Sequence, residues 1–205
     1  MEPIKTIDYK NHTIQIHYDM HPESPREWDN ITEFHCCHKR YTIGDKNFNY
    51  KSGQDCIDAA SKAKKNGDIV LPLYIYDHSG ITISLRPFSC PWDSGQVGFV
   101  IIRREKMLQE FGYKKFTKSL KEKAHKIAQA EVETYDKYLR NEIYGFVIDD
   151  YKDSCWGFYN IEECIEEAKQ MTDWIVRQET KDHCQKVKQW IIHKVPLQNR
   201  TAFCK

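Results

Sequence analysis

The chain contains 205 residues and carries a formal net charge of +1, from 31 basic and 30 acidic residues. It is long enough to bury a sizeable core, as one domain or as one domain with an appendage. The balanced charge provides no global field that would attract nucleic acid or an anionic membrane, and it argues against an acidic DNA mimic. Aromatic residues make up 13% of the chain, which favours an aromatic-rich core beneath a well-solvated surface.

The N-terminal residues and the length of the apolar runs indicate in which cellular compartment the protein is expected. No apolar run approaches the length of a membrane span. The first five residues, MEPIK, lack the charged and apolar regions of a signal peptide. We therefore expect a cytoplasmic protein that has no membrane partner.

The eight cysteines raise the question of disulfides or a metal site. Two are adjacent in the run His35–His38, and Cys56 and Cys164 lie on helical patterns, while no CxxC pair occurs. This context indicates reduced thiols. The run 35–38, His-Cys-Cys-His, lies on a predicted strand whose successive side chains point to opposite faces, so at most two of its four ligands reach one ion. We expect neither a metal nor a cofactor.

The first half of the chain alternates short apolar strands with polar turns. A hairpin with one buried face opens it, and a continuous apolar run from Ile69 to Ile75 predicts a buried central strand. An amphipathic helix that ends before Gly67 leads into this strand. The predicted strands are 4–8, 13–18, 32–42, 69–75, 81–85 and 97–102, and the predicted helix is 54–66.

The second half contains the two longest helical patterns, at 117–140 and 161–177, where apolar residues recur every three or four positions. Between them, strands 144–148 and 155–159 form a hairpin. Residues 184–195 suit either a helix or an edge strand, and Pro196 ends that segment.

These elements predict an α+β fold with a mainly antiparallel sheet packed against two or three amphipathic helices. We predict one domain over residues 1–205, with its core in 12–177. The C-terminal segment 178–205 is left without an assigned structure.

Three polar turns, at 19–30, 77–80 and 90–96, lie at the ends of predicted strands, where a rigid scaffold holds binding groups. We expect them to form one pocket for a small anionic, nucleotide-like ligand. Aromatic rings would stack on a planar group, arginines would fork onto phosphate oxygens, and carboxylates would accept ribose or base donors. The predicted ligand-binding residues are Arg26, Trp28, Asp29, Arg40, Asp77, His78, Ser79, Arg86, Trp92, Asp93, Ser94 and Gln96.

The same residues also have structural interpretations. Arg26 and Asp29 can close the first turn as a clasp, with Trp28 as a hydrophobic lid. Arg40 and Asp45 can form a surface ion pair instead of a charged site wall. Aromatic and arginine side chains are moreover ordinary components of a core and its rim.

A thiol enzyme is the alternative chemical hypothesis, with Cys90 as nucleophile, His78 as base and Asp93 as the orienting carboxylate. The run 77–79 contains Asp, His and Ser, but three consecutive residues do not converge as a serine-hydrolase triad does. Cys90 precedes a proline and does not begin a helix, so no helix dipole activates it. Packing of a buried Cys90 beside Trp92 is the structural interpretation.

Seven segments of the chain form a distinctive set. They are SPREWDN (24–30), CHKRYTIGD (37–45), LPLYIYDHSGITIS (71–84), FSCPWDSGQVGF (88–99), EVETYDKYL (131–139), YGFVI (144–148) and SCWGFY (154–159). Together they resemble a family of small proteins encoded by bacteriophages, prophages and mobile elements. The resemblance covers most of the chain, from about Asp19 to Tyr159, and two of its motifs are long and specific. It implies a protein of the infected bacterial cytoplasm that acts against host defence, and it carries no catalytic residues across.

Three functions remain open at this point. The first is a counter-defence protein that binds and sequesters a nucleotide-like ligand, and the second is a hydrolase or transferase on such a substrate. The third is an inhibitor that occludes a host defence protein through an exposed apolar patch. A nucleic-acid partner would use the basic segment 103–126, which otherwise forms a solvated helical face. A homo-oligomer is compatible with all three.

Overall fold

The computed structural model describes residues 2–196. Strands from the two ends of this range, at residues 5–18 and 144–158, belong to one sheet. The strands are β1 (Lys5–Tyr9), β2 (His12–Tyr18), β3 (Thr32–Cys36), β4 (Ile69–Asp77), β5 (Ile81–Ser84), β6 (Ser94–Ile102), β7 (Tyr144–Ile148) and β8 (Asp153–Phe158). The α-helices are α1 (Gly53–Lys65), α2 (Arg104–Glu110), α3 (Lys118–Leu139) and α4 (Ile161–Lys194). Single 3₁₀ turns occur at Pro25–Glu27 and Lys46–Phe48. Antiparallel sheets covered by helices confirm the predicted α+β class.

The chain divides into two compact units, which we call the split unit (residues 2–18 and 144–196) and the inserted unit (residues 19–143). Each has a four-stranded antiparallel sheet. The single domain that the sequence analysis predicts over residues 1–205 stays a prediction. The chain leaves the split unit after Tyr18 and returns at Tyr144, which lies opposite Tyr18 in the sheet. Within the inserted unit, the amide of Asp19 donates to the carbonyl of Ile143 at 2.7 Å, so the two ends of that unit meet.

The split unit orders its strands β1-β2-β7-β8 and packs α4 on them. The alternation predicted for Ile14, Ile16 and Tyr18 holds for the first two, which are fully buried against Cys164 and Ala168 of α4. It is wrong for Tyr18, which is 46% exposed at the end of β2. Asn160 caps the helix by accepting from the amides of residues 162 and 163. This helix positions the C-terminal part of the chain.

The inserted unit orders its strands β3-β6-β4-β5. One face of this sheet packs on α3, with Phe34 and Leu73 meeting Leu120 and Val132 in the main core. Helix α1 lies against β3, β4 and β6. His35 follows Phe34 in β3, so its side chain points to the opposite face of the sheet. Cys56 of α1 donates a hydrogen bond to the backbone carbonyl of His35. The predicted central strand is β4, but of residues 69–75 only Leu73 and Ile75 are buried and the other five are half-buried.

Several predicted boundaries are wrong, among them the start of β6, which lies at Ser94 rather than Val97. The two largest errors are in β3 and α4. Strand β3 ends at Cys36, six residues before the predicted end at Thr42, because the chain turns there: the amides of Arg40 and Tyr41 both donate to Nδ1 of His38. Helix α4 continues to Lys194 rather than ending at 177, so the ambiguous segment 184–195 is a helix and not an edge strand. Residues 197–205 of the predicted C-terminal segment lie outside the described residues.

Candidate functional site

Nine of the twelve predicted ligand-binding residues line two separate clefts of the inserted unit instead of the one predicted pocket. The first, the Arg26 cavity, has a volume of about 800 Å³ and is lined by Arg26, Trp28 and Asp29, among others. The second, the strand-end cleft, has a volume of about 330 Å³ and is lined by Arg40, Asp77, Trp92, Asp93, Ser94 and Gln96, among others. His78 joins the second cleft through Asp93, whereas Ser79 and Arg86 are exposed residues that line neither.

The guanidinium of Arg26 donates its hydrogen bonds to other groups of the same chain. Its Nε and Nη2 atoms donate to the two carboxylate oxygens of Asp45 at 2.7 and 3.1 Å. The remaining N–H groups reach Glu131 at 3.2 Å and the hydroxyl and carbonyl oxygens of Thr32 at 3.4 and 2.7 Å. A guanidinium has five N–H donors, and all of them have acceptors here. Arg26 is therefore a structural clasp, and its carboxylate partners are Asp45 and Glu131 rather than the expected Asp29.

The other cations that line the Arg26 cavity are paired as well. Lys46 binds Glu27 at 2.5 Å, and Lys106 binds Asp29 at 3.1 Å. This cavity is the larger of the two, but its charges compensate one another. It offers an anionic ligand little net attraction.

Sheet pairing builds the strand-end cleft. Strands β4 and β6 run antiparallel with Tyr76 opposite Ser94, and the amide of Asp77 donates to the carbonyl of Asp93 at 2.8 Å. The last residues of β4 and the first residues of β6 therefore lie side by side. This pairing brings two of the three predicted turns, 77–80 and 90–96, together at one end of the sheet.

An ion pair and a hydrogen-bonded pair lie at this end of the sheet. Arg40 binds the carboxylate of Asp77, and the Arg40 side chain is 68% exposed whereas that of Asp77 is 17% exposed. His78 Nδ1 lies 3.1 Å from Asp93 Oδ2, and both side chains are well exposed. Water around Arg40, His78 and Asp93 screens these contacts, and screened pairs contribute about 0–1 kcal/mol, so a ligand that offers a better anion can compete with the carboxylates.

Trp92 is the least buried large apolar residue in the described chain, with 91% of its surface exposed. At the end of β4, the ring of Tyr76 stacks on His78 with centroids 5.9 Å apart and contacts Phe88 at 5.7 Å. Space above Gly95 is open, since a Cβ there would meet no atom within 4 Å. The cleft thus combines an unused aromatic face, an exposed guanidinium and accessible backbone.

The proposed thiol nucleophile has a different geometry from the one that catalysis needs. Cys90 Sγ lies 3.9 Å from Asp93 Oδ2, the same oxygen that His78 approaches. A thiol nucleophile requires the imidazole between thiol and carboxylate, where it accepts the thiol proton. Here the carboxylate stands between the other two groups, so His78, Cys90 and Asp93 meet without forming a relay.

A buried polar chain in the inserted unit escaped the sequence analysis. His35 is 2% exposed, and its ring nitrogens contact Tyr50 Oη at 2.8 Å and Glu33 Oε2 at 3.1 Å. Arg103 Nη2 binds the same Glu33 oxygen at 2.6 Å and continues to Asp68 at 3.1 Å. Glu33 and His35 are two residues apart on β3, so they share one face, and this spacing was the only available signal.

These surroundings shift several ionisable groups. Partial burial alone would raise the pKa of Glu33, but hydrogen bonds from His35 and Arg103 and the guanidinium charge lower it to about 2. Burial raises the pKa of the Cys36 thiol and raises that of Cys56 to about 11, so both thiols stay protonated. Among residues 2–196, no three His, Cys, Asp or Glu side chains are arranged to hold a metal ion.

Comparisons of this chain with protein-family models, with curated proteins and with solved structures find no match. The helices between residues 2 and 196 are each too short or too polar to cross a bilayer.

Proposed function

We propose that this chain is a binding protein that takes up a small, planar, anionic ligand of nucleotide type at the strand-end cleft. The observation that carries the proposal is the exposure of Trp92, 91%, in the same cleft as the exposed Arg40 side chain. A large aromatic residue held in water gains free energy when it is covered, by about 25 cal/mol for each Å² of apolar surface. Stacking of a base or a similar ring on Trp92 supplies that cover.

The charges of the cleft suit the anionic part of such a ligand. Arg40 forms one ion pair, with Asp77, and because the Arg40 side chain is 68% exposed, water around the guanidinium screens that pair. A phosphate group can instead accept two parallel hydrogen bonds from the guanidinium, which is a stronger arrangement. Asp77 and Asp93 would then be released to accept hydrogen bonds from ribose hydroxyls or base amino groups. A volume of about 330 Å³ lies within the range of small-ligand sites.

Binding without turnover is favoured over catalysis. Asp93 Oδ2 is shared by His78 at 3.1 Å and Cys90 at 3.9 Å, so the thiol faces a weakly basic carboxylate and not the imidazole that would take its proton in a thiol enzyme. The proposed biological role is a separate step. In this proposal the protein acts in the cytoplasm of an infected bacterium and sequesters a signal produced by host defence. That biological role rests on the resemblance to phage and mobile-element proteins.

Native mass spectrometry after incubation with the small-molecule fraction of infected-cell extract tests the proposal. We expect a mass increase that is lost on denaturation, with release of an intact phosphate-containing compound. Cys90→Ala should retain the same compound, because the thiol has no role in binding. A released compound that is chemically altered by the wild type and unaltered by Cys90→Ala would support the enzyme instead.

A protein partner is the remaining alternative, because an exposed tryptophan is also typical of protein interfaces. If the extract adds no small molecule while Trp92→Ala abolishes co-purification of a host protein, the inhibitor hypothesis replaces the ligand-binding proposal.

A further inference from the structure

Helix α4 is longer than the sheet that it covers. Its 34 residues extend about 50 Å at 1.5 Å per residue, whereas the five residues of β7 extend about 17 Å. The α4 residues that are buried in the core of the split unit lie between Cys164 and Ile175. Every residue from 179 to 190 is exposed, although most helices in proteins depend on a packed face for stability.

One face of α4 is exposed along nearly its whole length. Its residues are spaced by three or four positions, which places them on one side of a helix, and all of them are exposed. The face is acidic near its start, carries Trp174 in the middle, and is basic towards its end. Its members are Glu163, Glu167, Gln170, Trp174, Arg177, Lys181, Gln185 and Lys188.

A groove follows the first part of this face. It has a volume of about 450 Å³ and is lined by Asp153, Glu167, Gln170, Met171 and Trp174. Trp174 is 54% exposed, so the groove has an apolar floor and acidic walls. An occupant with long, positively charged side chains fits this chemistry, because the aliphatic stems cover apolar surface while the amines meet carboxylates.

We propose that α4 pairs antiparallel with α4 of a second copy of this chain, with the two-fold axis between Arg177 and Gln178. In this register Glu167 of one copy faces Lys188 of the other, and Gln170 faces Gln185. Lys181 faces Trp174, which permits a cation–π contact. Because the interface is isologous, each of these contacts occurs twice.

The opposite orientation is disfavoured by the same residues. A parallel pair would place Glu163 and Glu167 beside their own copies, and Lys181 and Lys188 beside theirs. Like charges at such spacings repel. The charge order along α4 therefore selects a second, antiparallel copy as the occupant.

Sedimentation velocity of the full chain over a range of concentrations tests this proposal. We expect a two-chain species that dissociates on dilution. Lys188→Glu and Glu167→Lys should each weaken the dimer by about tenfold or more, because two attractive pairs become repulsive. The double variant, which exchanges the two charges, should recover affinity to within about threefold of the wild type.

Lys186→Glu is the matched control, since Lys186 is also exposed but lies on the opposite side of the helix. We expect it to leave the dimer unchanged, and Trp174→Ala to weaken it. Circular dichroism establishes that each variant remains folded. A chain that is monomeric at every concentration overturns the proposal. So does a Lys186→Glu variant that dissociates as readily as Lys188→Glu, or a double variant that recovers nothing.

Discussion

Arg26 joins three segments of the inserted unit that are far apart in the sequence. Its guanidinium binds Asp45 in one loop and Glu131 on α3, and it lies 3.8 Å from the centre of the Phe34 ring. Glu131 in turn accepts from the amides of Ile31 and Thr32 at 2.9 and 3.3 Å. The polar composition of the first turn thus reflects a buried network rather than an open binding site.

Removal of Arg26 is expected to be costly. Its side chain is 4% exposed and those of Asp45 and Glu131 are 17% exposed, so Arg26→Met leaves two carboxylates unpaired in a poorly solvated place. We predict a loss of about 3 kcal/mol in the free energy of unfolding, measured by urea denaturation. Lys46→Ala is the control, since Lys46 is 82% exposed, and it should cost less than about 0.5 kcal/mol. Equal losses in the two variants would contradict the assigned role of Arg26.

Glu33 makes stability depend on pH. Its pKa is about 2 in the folded chain, below the ordinary value of 4.5. Ionised Glu33 therefore stabilises the folded state above pH 4.5, and this contribution is lost as the pH falls from 4.5 towards 2. We predict that Glu33→Gln is less stable than the wild type at neutral pH and that the difference shrinks over this interval, as measured by urea denaturation at a series of pH values. A difference that is constant with pH would show that Glu33 acts by packing alone.

At the scale of elements, β3 and β6 approach closely at Gly98. A Cβ at this position would lie 2.0 Å from the carbonyl oxygen of His35 and 2.9 Å from the Cα of Cys36. Both atoms belong to the backbone, so neither can move aside cheaply. A side chain here would separate the two strands.

We therefore predict that Gly98→Ala lowers the free energy of unfolding by about 1–3 kcal/mol, again by urea denaturation. Gly95→Ala on the same strand is the matched control, because a Cβ there meets no atom within 4 Å. It should change stability by less than about 0.5 kcal/mol. If the two variants unfold alike, the close approach of β3 and β6 is not what requires glycine at 98.

Elements with a buried stripe could be predicted from sequence, and elements without one could not. Strand Tyr144–Ile148 was located without error because its apolar run is continuous. The second half of α4 gave no clear period because residues 179–190 are all exposed. The early end of β3 depends on hydrogen bonds from backbone amides to the His38 side chain, which periodicity does not encode.

The candidate site was predictable only in part, for a related reason. The turns after β4 and before β6 meet because antiparallel strands place them at the same end of a sheet, and sequence order suggested this. The structural role of Arg26 depends on Asp45 and on Glu131, which is 105 residues away in the sequence. Such tertiary partners are not visible in a local pattern, and neither is the position of the Asp93 carboxylate between Cys90 and His78.

At the scale of the whole molecule, the chain carries two units with separate roles in our proposals. The inserted unit holds the strand-end cleft, and its ends meet where Asp19 binds Ile143 at 2.7 Å. The split unit holds α4, whose exposed face is self-complementary. The two proposals are independent, because the cleft and the α4 face belong to different units.

Retention of a ligand by matched tryptophan variants tests the binding function. Wild-type protein, Trp92→Ala and Trp190→Ala would each be incubated with the small-molecule fraction of infected-cell extract and weighed by native mass spectrometry. Trp190 is 56% exposed and lies on α4, so its variant controls for the loss of an exposed tryptophan. We predict that the wild type and Trp190→Ala gain the same mass, whereas Trp92→Ala binds at least about fivefold more weakly and shows a lower occupancy at the same ligand concentration, since base stacking contributes about 1–3 kcal/mol. Equal occupancy in all three proteins, or no mass gain in the wild type, would contradict ligand binding at the strand-end cleft.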